Sequence, residues 1–178
     1  MRKTFKKTMC VVLSSAMIFT SGDYSNVKFH LPWDFSFSVS AAKVINVSDN
    51  TEVTTSIVKD ADLLNELKSI INKGNTFTVG QMKAYTGSIV LTNTKISSVE
   101  GLGYARSASL IDLTKLTKVK TISREEFYDC GMTEVKLPTS ITTIEAYAFS
   151  GCSKLATINL PDSITKIYEN AFEKCYIW

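Results

Sequence analysis

Residues 137–152 (LPTSITTIEAYAFSGC) and 160–175 (LPDSITKIYENAFEKC) align without a gap at an offset of 23, sharing Leu-Pro, Ser-Ile-Thr, Ile, Ala-Phe and Cys at equivalent places. One unit earlier, residues 121–138 (TISREEFYDCGMTEVKLP) repeat the same order. Three series result: Ile122/Ile144/Ile167, Phe127/Phe149/Phe172 and Cys130/Cys152/Cys175. A more diverged unit begins near Ile89, where Ile89-Val90-Leu91 matches Ile111-Asp112-Leu113, Val135-Lys136-Leu137 and Ile158-Asn159-Leu160 at steps of 22, 24 and 23. A unit this short cannot enclose a core alone, so the units must stack with each apolar position on its counterpart. The alternation in Val135-Lys136-Leu137 and Ile158-Asn159-Leu160 predicts a short strand with one buried face. Strands of successive coils then pair about 4.8 Å apart in a parallel sheet. Ile and Phe close the back of each coil, and Pro138 and Pro161 end the ladder where a missing N–H is cheap.

Upstream of the repeats the period changes. In residues 60–71 (DADLLNELKSII) the apolar side chains fall at i, i+1, i+4, i+7 and i+8, which predicts one buried face of a helix. Asp60 or Asp62 can cap its start, and Gly74 suits the left-handed position after its end. Thr78-Val79-Gly80-Gln81 has capping-box spacing and opens a second short helix through Met82 and Tyr85. Both helices are expected to cover the exposed apolar end of the first coil, as terminal repeats must. Residues 43–59, rich in β-branched side chains, read as an extended lead-in or edge strand.

The units after Thr121 resemble BspA-like leucine-rich repeats, with Cys152-Ser153-Lys154-Leu155-Ala156-Thr157-Ile158-Asn159-Leu160-Pro161 closest to that pattern. The resemblance covers residues 89–178. The segment before it is similar to the opening region of internalin-type repeats, on Ile96-Ser97-Ser98-Val99-Glu100-Gly101-Leu102. The implied fold is an α/β solenoid: a leucine-rich-repeat array of about four coils with a parallel β-sheet face and an N-terminal helical cap. Two departures stand out. The first coil has Tyr104-Ala105 where Phe would fall, and the last coil breaks off at Tyr176-Ile177-Trp178 without a closing cap.

The formal net charge of +3 on 178 residues is concentrated at one end. Residues 1–42 carry five Lys or Arg against two acids, whereas residues 43–178 carry fifteen of each sign. The body therefore offers no basic field to attract nucleic acid. Arg2, Lys3, Lys6 and Lys7 precede the apolar residues 8–20 (TMCVVLSSAMIFT), the layout of a secretory signal peptide and too short to span a bilayer. Small residues allow cleavage at Thr20-Ser21-Gly22 or after Ala42, and the second is preferred. This divides the chain into a leader (1–42), a lead-in with helical cap (43–88) and the repeats (89–178). Secretion or display on the cell surface is expected, with no membrane span in the mature chain.

His30, the one histidine, falls in that leader, so a mature chain cannot assemble Ser-His-Asp or Cys-His catalysis. Cys130, Cys152 and Cys175 recur at the repeat period and read as a ladder of small buried thiols. No metal or cofactor site is predicted. Glu125, Glu126 and Asp129 form an acidic patch on a solvated turn, and Lys115, Lys118, Lys120 and Arg124 a basic run that Glu125 and Glu126 balance. What remains is the outer face of the sheet: Ser88, Val90 and Thr92; Leu110, Asp112 and Thr114; Glu134 and Lys136, with Pro138; Thr157 and Asn159, with Pro161. Repeat solenoids commonly bind on such a face. The resemblance implies surface proteins, some acting in adhesion, and hence a non-catalytic module that recognises a protein or cell-surface ligand. The alternative is a recognition module or truncated fragment of a larger exported cell-wall or hydrolase protein. Phe172, Ile177 and Trp178 would leave apolar surface on the last coil and permit self-association.

Overall fold

A computed structural model describes residues 47–176 in full, together with the backbone of residues 28–30 and 36–38. The chain divides into two compact units, Met1–Ile45 and Asn46–Trp178. In the first, β1 (Lys28–His30) pairs antiparallel with β2 (Ser36–Ser38). The apolar run of the expected leader and both candidate cleavage points lie outside the described residues, as do Ile177 and Trp178.

The second unit begins with the predicted helices. In α1 (Ala61–Asn72) Leu63, Leu64 and Leu67 are buried, and Asp60 is the N-cap, its Oδ1 accepting from the N–H groups of Asp62 and Leu63 at 3.0 and 3.1 Å. The helix ends in two successive left-handed residues, Lys73 and Gly74. Helix α2 (Val79–Ala84) starts with the expected capping box between Thr78 and Gln81. Residues 47–59 depart from the expected strand. Turns at Asp49-Asn50 and Thr55-Ser56 break them up, and the strand-like pairing is reduced to one antiparallel bridge, Glu52 to Thr78. Val53, Ile57 and Val58 are nonetheless buried.

The repeats form two parallel sheets. The first runs β3 (Ser88–Val90), β4 (Leu110–Asp112), β6 (Glu134–Lys136), β8 (Thr157–Asn159). Its register places Ile89, Ile111, Val135 and Ile158 in one inward column, as the sequence alignment requires. The second sheet, β5 (Thr121–Ile122), β7 (Thr143–Ile144) and β9 (Lys166–Ile167), closes the back of the coils with the predicted Ile122/Ile144/Ile167 column. The first coil contributes no strand to this back sheet. Instead Lys59 N–H donates to the Glu100 carbonyl at 3.1 Å, and a 3₁₀ turn (Leu102–Tyr104) follows.

From the turn that follows the back sheet an aromatic stack is buried inside the coils. The Phe127 and Phe149 ring centroids lie 5.2 Å apart, those of Phe149 and Phe172 5.3 Å apart, with the latter planes inclined by 1°. The stack spacing is close to that of paired strands, so one coil advance satisfies peptide hydrogen bonds and ring contact together. Beside it, each cysteine donates its S–H to a carbonyl of the preceding coil: Cys130 to Gly103, Cys152 to Phe127 at 2.9 Å and Cys175 to Phe149 at 3.0 Å. All three thiols are free, and burial pushes each one up, Cys152 to about 12. They are packing groups, as the sequence suggests.

The turn that carries the Phe and Cys of each coil bends through two left-handed residues. Glu125, Tyr147 and Asn170 form one such column, and Asp129, Gly151 and Lys174 the other. Only Gly151 adopts this conformation without steric cost. Lys174→Gly is therefore expected to raise stability by roughly 0.5–1 kcal/mol, measured by urea unfolding. In the same assay Phe149→Ala, removing the fully buried middle ring, is expected to cost about 3–5 kcal/mol. Phe172→Ala should cost less than half as much, because the final ring is only half-buried.

Candidate recognition face

Two columns of side chains face outward from the first sheet. Ser88, Leu110, Glu134 and Thr157 stand in register, as do Val90, Asp112, Lys136 and Asn159. Val90 is 45% exposed, and Ser88, Thr157 and Asn159 are also exposed. Leu110, Asp112, Glu134 and Lys136 are half-buried. Lys136 Nζ lies 3.5 Å from a Glu134 carboxylate oxygen and 4.0 Å from one of Asp112. This group of three charges is nearly self-neutralising, and its partial exposure weakens each pair by solvent screening.

Several of these side chains also serve the fold. Asp112 Oδ1 accepts from the N–H and hydroxyl of Thr114 at 2.9 and 2.7 Å, turning the chain after β4. Thr92 lies beyond β3, and Glu66 of α1 accepts from both its N–H and its hydroxyl. Asn159 has the most committed role. Leu91 and Leu113 donate their N–H groups to backbone carbonyls of the next coil, those of Asp112 and Lys136. Leu137 donates instead to the Asn159 side-chain oxygen at 2.6 Å, and the Asn159 amide returns a bond to the Leu137 carbonyl at 3.0 Å. Pro138 does not face outward as expected. It is buried, because the chain turns at once and its carbonyl accepts from Ile141, while Pro161 opens the same turn one coil later.

The cap fixes one end of this face through acidic side chains. Asp60 Oδ2 accepts from Ser97 N–H and hydroxyl at 2.8 and 2.9 Å and from Ser98 N–H, while Glu66 Oε2 takes Asn93 N–H. Burial pushes the Asp60 carboxyl up, but the hydrogen bonds from Ser97, Leu63 and Ser98 outweigh it, and the net shift is downward. The capping role was legible in the sequence. The docking contacts of Asp60 and Glu66 were not, since their partners lie some thirty residues away.

The acidic patch at 125–129 is not a solvated carboxylate pair. Glu125 lies beside Arg124, whereas Glu126 turns inward, one oxygen accepting from the N–H groups of Gly101 and Gly103 at 2.9 Å each. Gly101 has φ +96°, and a Cβ there would strike the Ile57 carbonyl. At Gly103 a Cβ would strike the Glu126 carbonyl. Burial raises the Glu126 carboxyl from 4.5 to about 7, against the two hydrogen bonds, and Glu100 adds to the rise. Among the described residues no group of three His, Cys, Asp or Glu is placed to hold a metal ion, and no helix is long and apolar enough to cross a membrane.

Because the folded state holds the Glu126 proton more tightly than the unfolded chain, the contribution of Glu126 to stability is fully present below about pH 4.5. It is lost as pH rises from there through about 7, by on the order of 3 kcal/mol. Glu126→Gln keeps the acceptor and removes the charge. Its urea midpoint should match that of the wild type near pH 4.5 and exceed it at pH 8.

Residues 120–178 match the family described as BspA type leucine rich repeat region. Among solved structures, an internalin (inlF) of Listeria monocytogenes is similar at 14% identity and TM-score 0.37, over 64% of this chain and 44% of that one. An internalin C2 (inlC2) of the same organism is similar at 16% identity and TM-score 0.36, over 67% of this chain and 69% of that one. The chain thus spans less than half the length of the first of these. No curated protein sequence matches it. The coils of residues 120–178, with their Ile, Phe and Cys columns, belong to the BspA type of leucine-rich repeat.

Proposed function

We propose that this chain is an exported, non-catalytic recognition protein that binds a protein or cell-surface ligand across the face of its first sheet, in the manner of an adhesion module. The observation that carries the reading is the face itself. Four strands hold two outward columns in fixed register, with hydroxyl, charged and exposed apolar groups side by side. Such a surface offers complementarity of shape and charge without a reaction centre, the usual working mode of repeat solenoids. Export is supported by the N-terminal cations followed by the apolar residues 8–20. The corresponding division is a leader (1–42), a lead-in and cap (43–88) and the repeats (89–178). The four strands span only about 15 Å, so the contact is small and of modest affinity.

The test uses residues that the fold can spare. Val90→Lys combined with Lys136→Gln keeps a cation beside Asp112 and leaves Asn159, Thr92 and Thr114 in their structural roles. Fluorescently labelled full-length chain should bind intact cells saturably in flow cytometry, and the double variant should lose about tenfold in apparent affinity while its urea midpoint stays within ~0.5 kcal/mol of wild type. Equal cell binding by both proteins would remove this face from the reading. Mass spectrometry of the culture medium checks export: a product beginning at Lys43 is expected.

A further inference from the structure

The repeat region from residue 91 to 176 carries ten cations and ten acids, a balance that gives no sign of an electrostatic partner. Folding sorts these charges by side. The turns that follow each strand of the first sheet (91–98, 113–120, 137–142 and 160–165) hold Lys95, Lys115, Lys118 and Lys120 against a single acid, Asp162. The turns on the other side, after the back sheet, hold seven acids against four cations. The two sides are separated by a three-residue strand along the first sheet and by a two-residue strand along the back sheet, about 10 and 7 Å. These distances are comparable to the ~8 Å screening length at physiological salt, so solvent and salt weaken the coupling of the two sides and the basic turns keep a positive field of their own.

Along the sequence Glu125 and Glu126 balance the basic run, and folding removes that compensation. Both acids lie past β5 on the opposite side, Glu126 turned into Gly101 and Gly103, Glu125 beside Arg124. Lys115, Lys118 and Lys120 are exposed, and among the described residues none is in an ion pair. The first coil is different, because Asp60, Asp62 and Glu66 of the cap bond to Asn93, Thr92 and Ser97 beside Lys95. The positive field is therefore centred on the second coil. Below it the turn of the third coil is uncharged and rich in hydroxyls, with Thr139 exposed and Ser140 spending its hydroxyl on the Leu116 and Val119 carbonyls.

We propose that this turn edge, with Lys115, Lys118 and Lys120 at its centre, is a second binding surface that takes a linear polyanion with phosphate or carboxylate groups repeated along a flexible backbone. Three compact ammonium groups on flexible stems match a run of point charges and lack the planar fork that selects single carboxylates. These turns contain no aromatic side chain on which nucleobases could stack, and no exposed aromatic or Arg anchor of the kind that dominates protein contacts. Affinity comes from releasing the polymer's condensed counterions, and it falls with salt.

The probes are fluorescently labelled inorganic polyphosphate and polygalacturonate, titrated with the full-length chain between about 50 and 200 mM NaCl. Wild type is expected to bind at least one, with affinity falling about tenfold or more over that range. The two polymers distinguish a phosphate from a carboxylate source. The triple variant Lys115→Gln, Lys118→Gln, Lys120→Gln should bind about tenfold more weakly at the lower salt and show a flatter salt dependence, with an unchanged urea midpoint. Lys154→Gln with Lys174→Gln, on the acidic side, should bind as wild type does. Binding of neither polymer, a triple variant indistinguishable from wild type, salt-independent binding, or tighter binding of an oligo-dT strand would each overturn the proposal.

Discussion

Everything in the repeat unit depends on one coil advancing by the same step at every point of its circuit. A parallel strand pair fixes that step near 4.8 Å, and the stacked phenylalanines tolerate little else. The same step recurs where no strand is assigned. Phe127 N–H donates to the Ala148 carbonyl and Phe149 N–H to that of Ala171, both at 2.8 Å, and Asp129 and Gly151 repeat the arrangement with Ser150 and Glu173. The turn that carries the aromatic column is thus a third ladder of peptide bonds. Two left-handed residues bring it back on course in each coil, and their columns persist whether the residue is Gly, Asp or Lys. The geometry overrides the preference of the individual side chain, at about 1–2 kcal/mol for Glu125, Tyr147 and Lys174 and less for Asp129 and Asn170, whose short polar side chains tolerate this region.

A repeating stack has no natural way to begin, and the first coil shows what must change. It lacks the Phe and Cys of its successors, so its turn tightens into a 3₁₀ segment lined by Leu102, Ala105 and Ala108. The two glycines flanking Leu102 let chain approach from both sides, Ile57 from the cap and Glu126 from the second coil. Their N–H groups, left without a strand partner, are taken by the Glu126 carboxylate. On the other side of the same coil Asp60 and Glu66 do the equivalent for Ser97, Ser98, Thr92 and Asn93. Carboxylates here stand in for the missing neighbour of a peptide ladder. This follows from the rule that backbone N–H groups near the interior find an acceptor.

How legible this was in the sequence depended on whether the signal repeated. The Ile, Phe and Cys columns recur with identical letters, and their alignment fixed both register and inward face. The helix caps were readable too, because Asp60 and the Thr78–Gln81 box act within three residues. The back sheet was less legible: its strands are two residues long, and Thr-Ile carries no alternation to detect. Contacts made only once were invisible, among them Glu126 with the Gly101-x-Gly103 pair and Glu66 with Thr92. Pro138 misled for a different reason. Period two places it outward by counting from Val135, but the strand ends at Lys136 and the phase no longer applies. Of the outward positions, those within strands stand where alternation put them, while Asn159 proves to be shared between face and fold.

That sharing bears on how such an array can change. A face residue whose side chain is exposed and has no hydrogen-bonding duty is freer to vary, and among the described residues Val90 and Thr157 are of that kind. Asn159 is not, since replacing it by any side chain without both a donor and an acceptor leaves Leu137 N–H or its carbonyl unpaired at a half-closed edge. Asp112 is similarly bound to the turn through Thr114. The turns between strands carry fewer such duties. Lys115 and Lys118 make no hydrogen bond or ion pair among the described residues, and the neighbouring coil holds their turn in place through Ser140. Specificity therefore has two substrates of unequal freedom: a sheet face limited by its register, and turn edges whose charges can be redistributed without disturbing a single peptide bond of the stack.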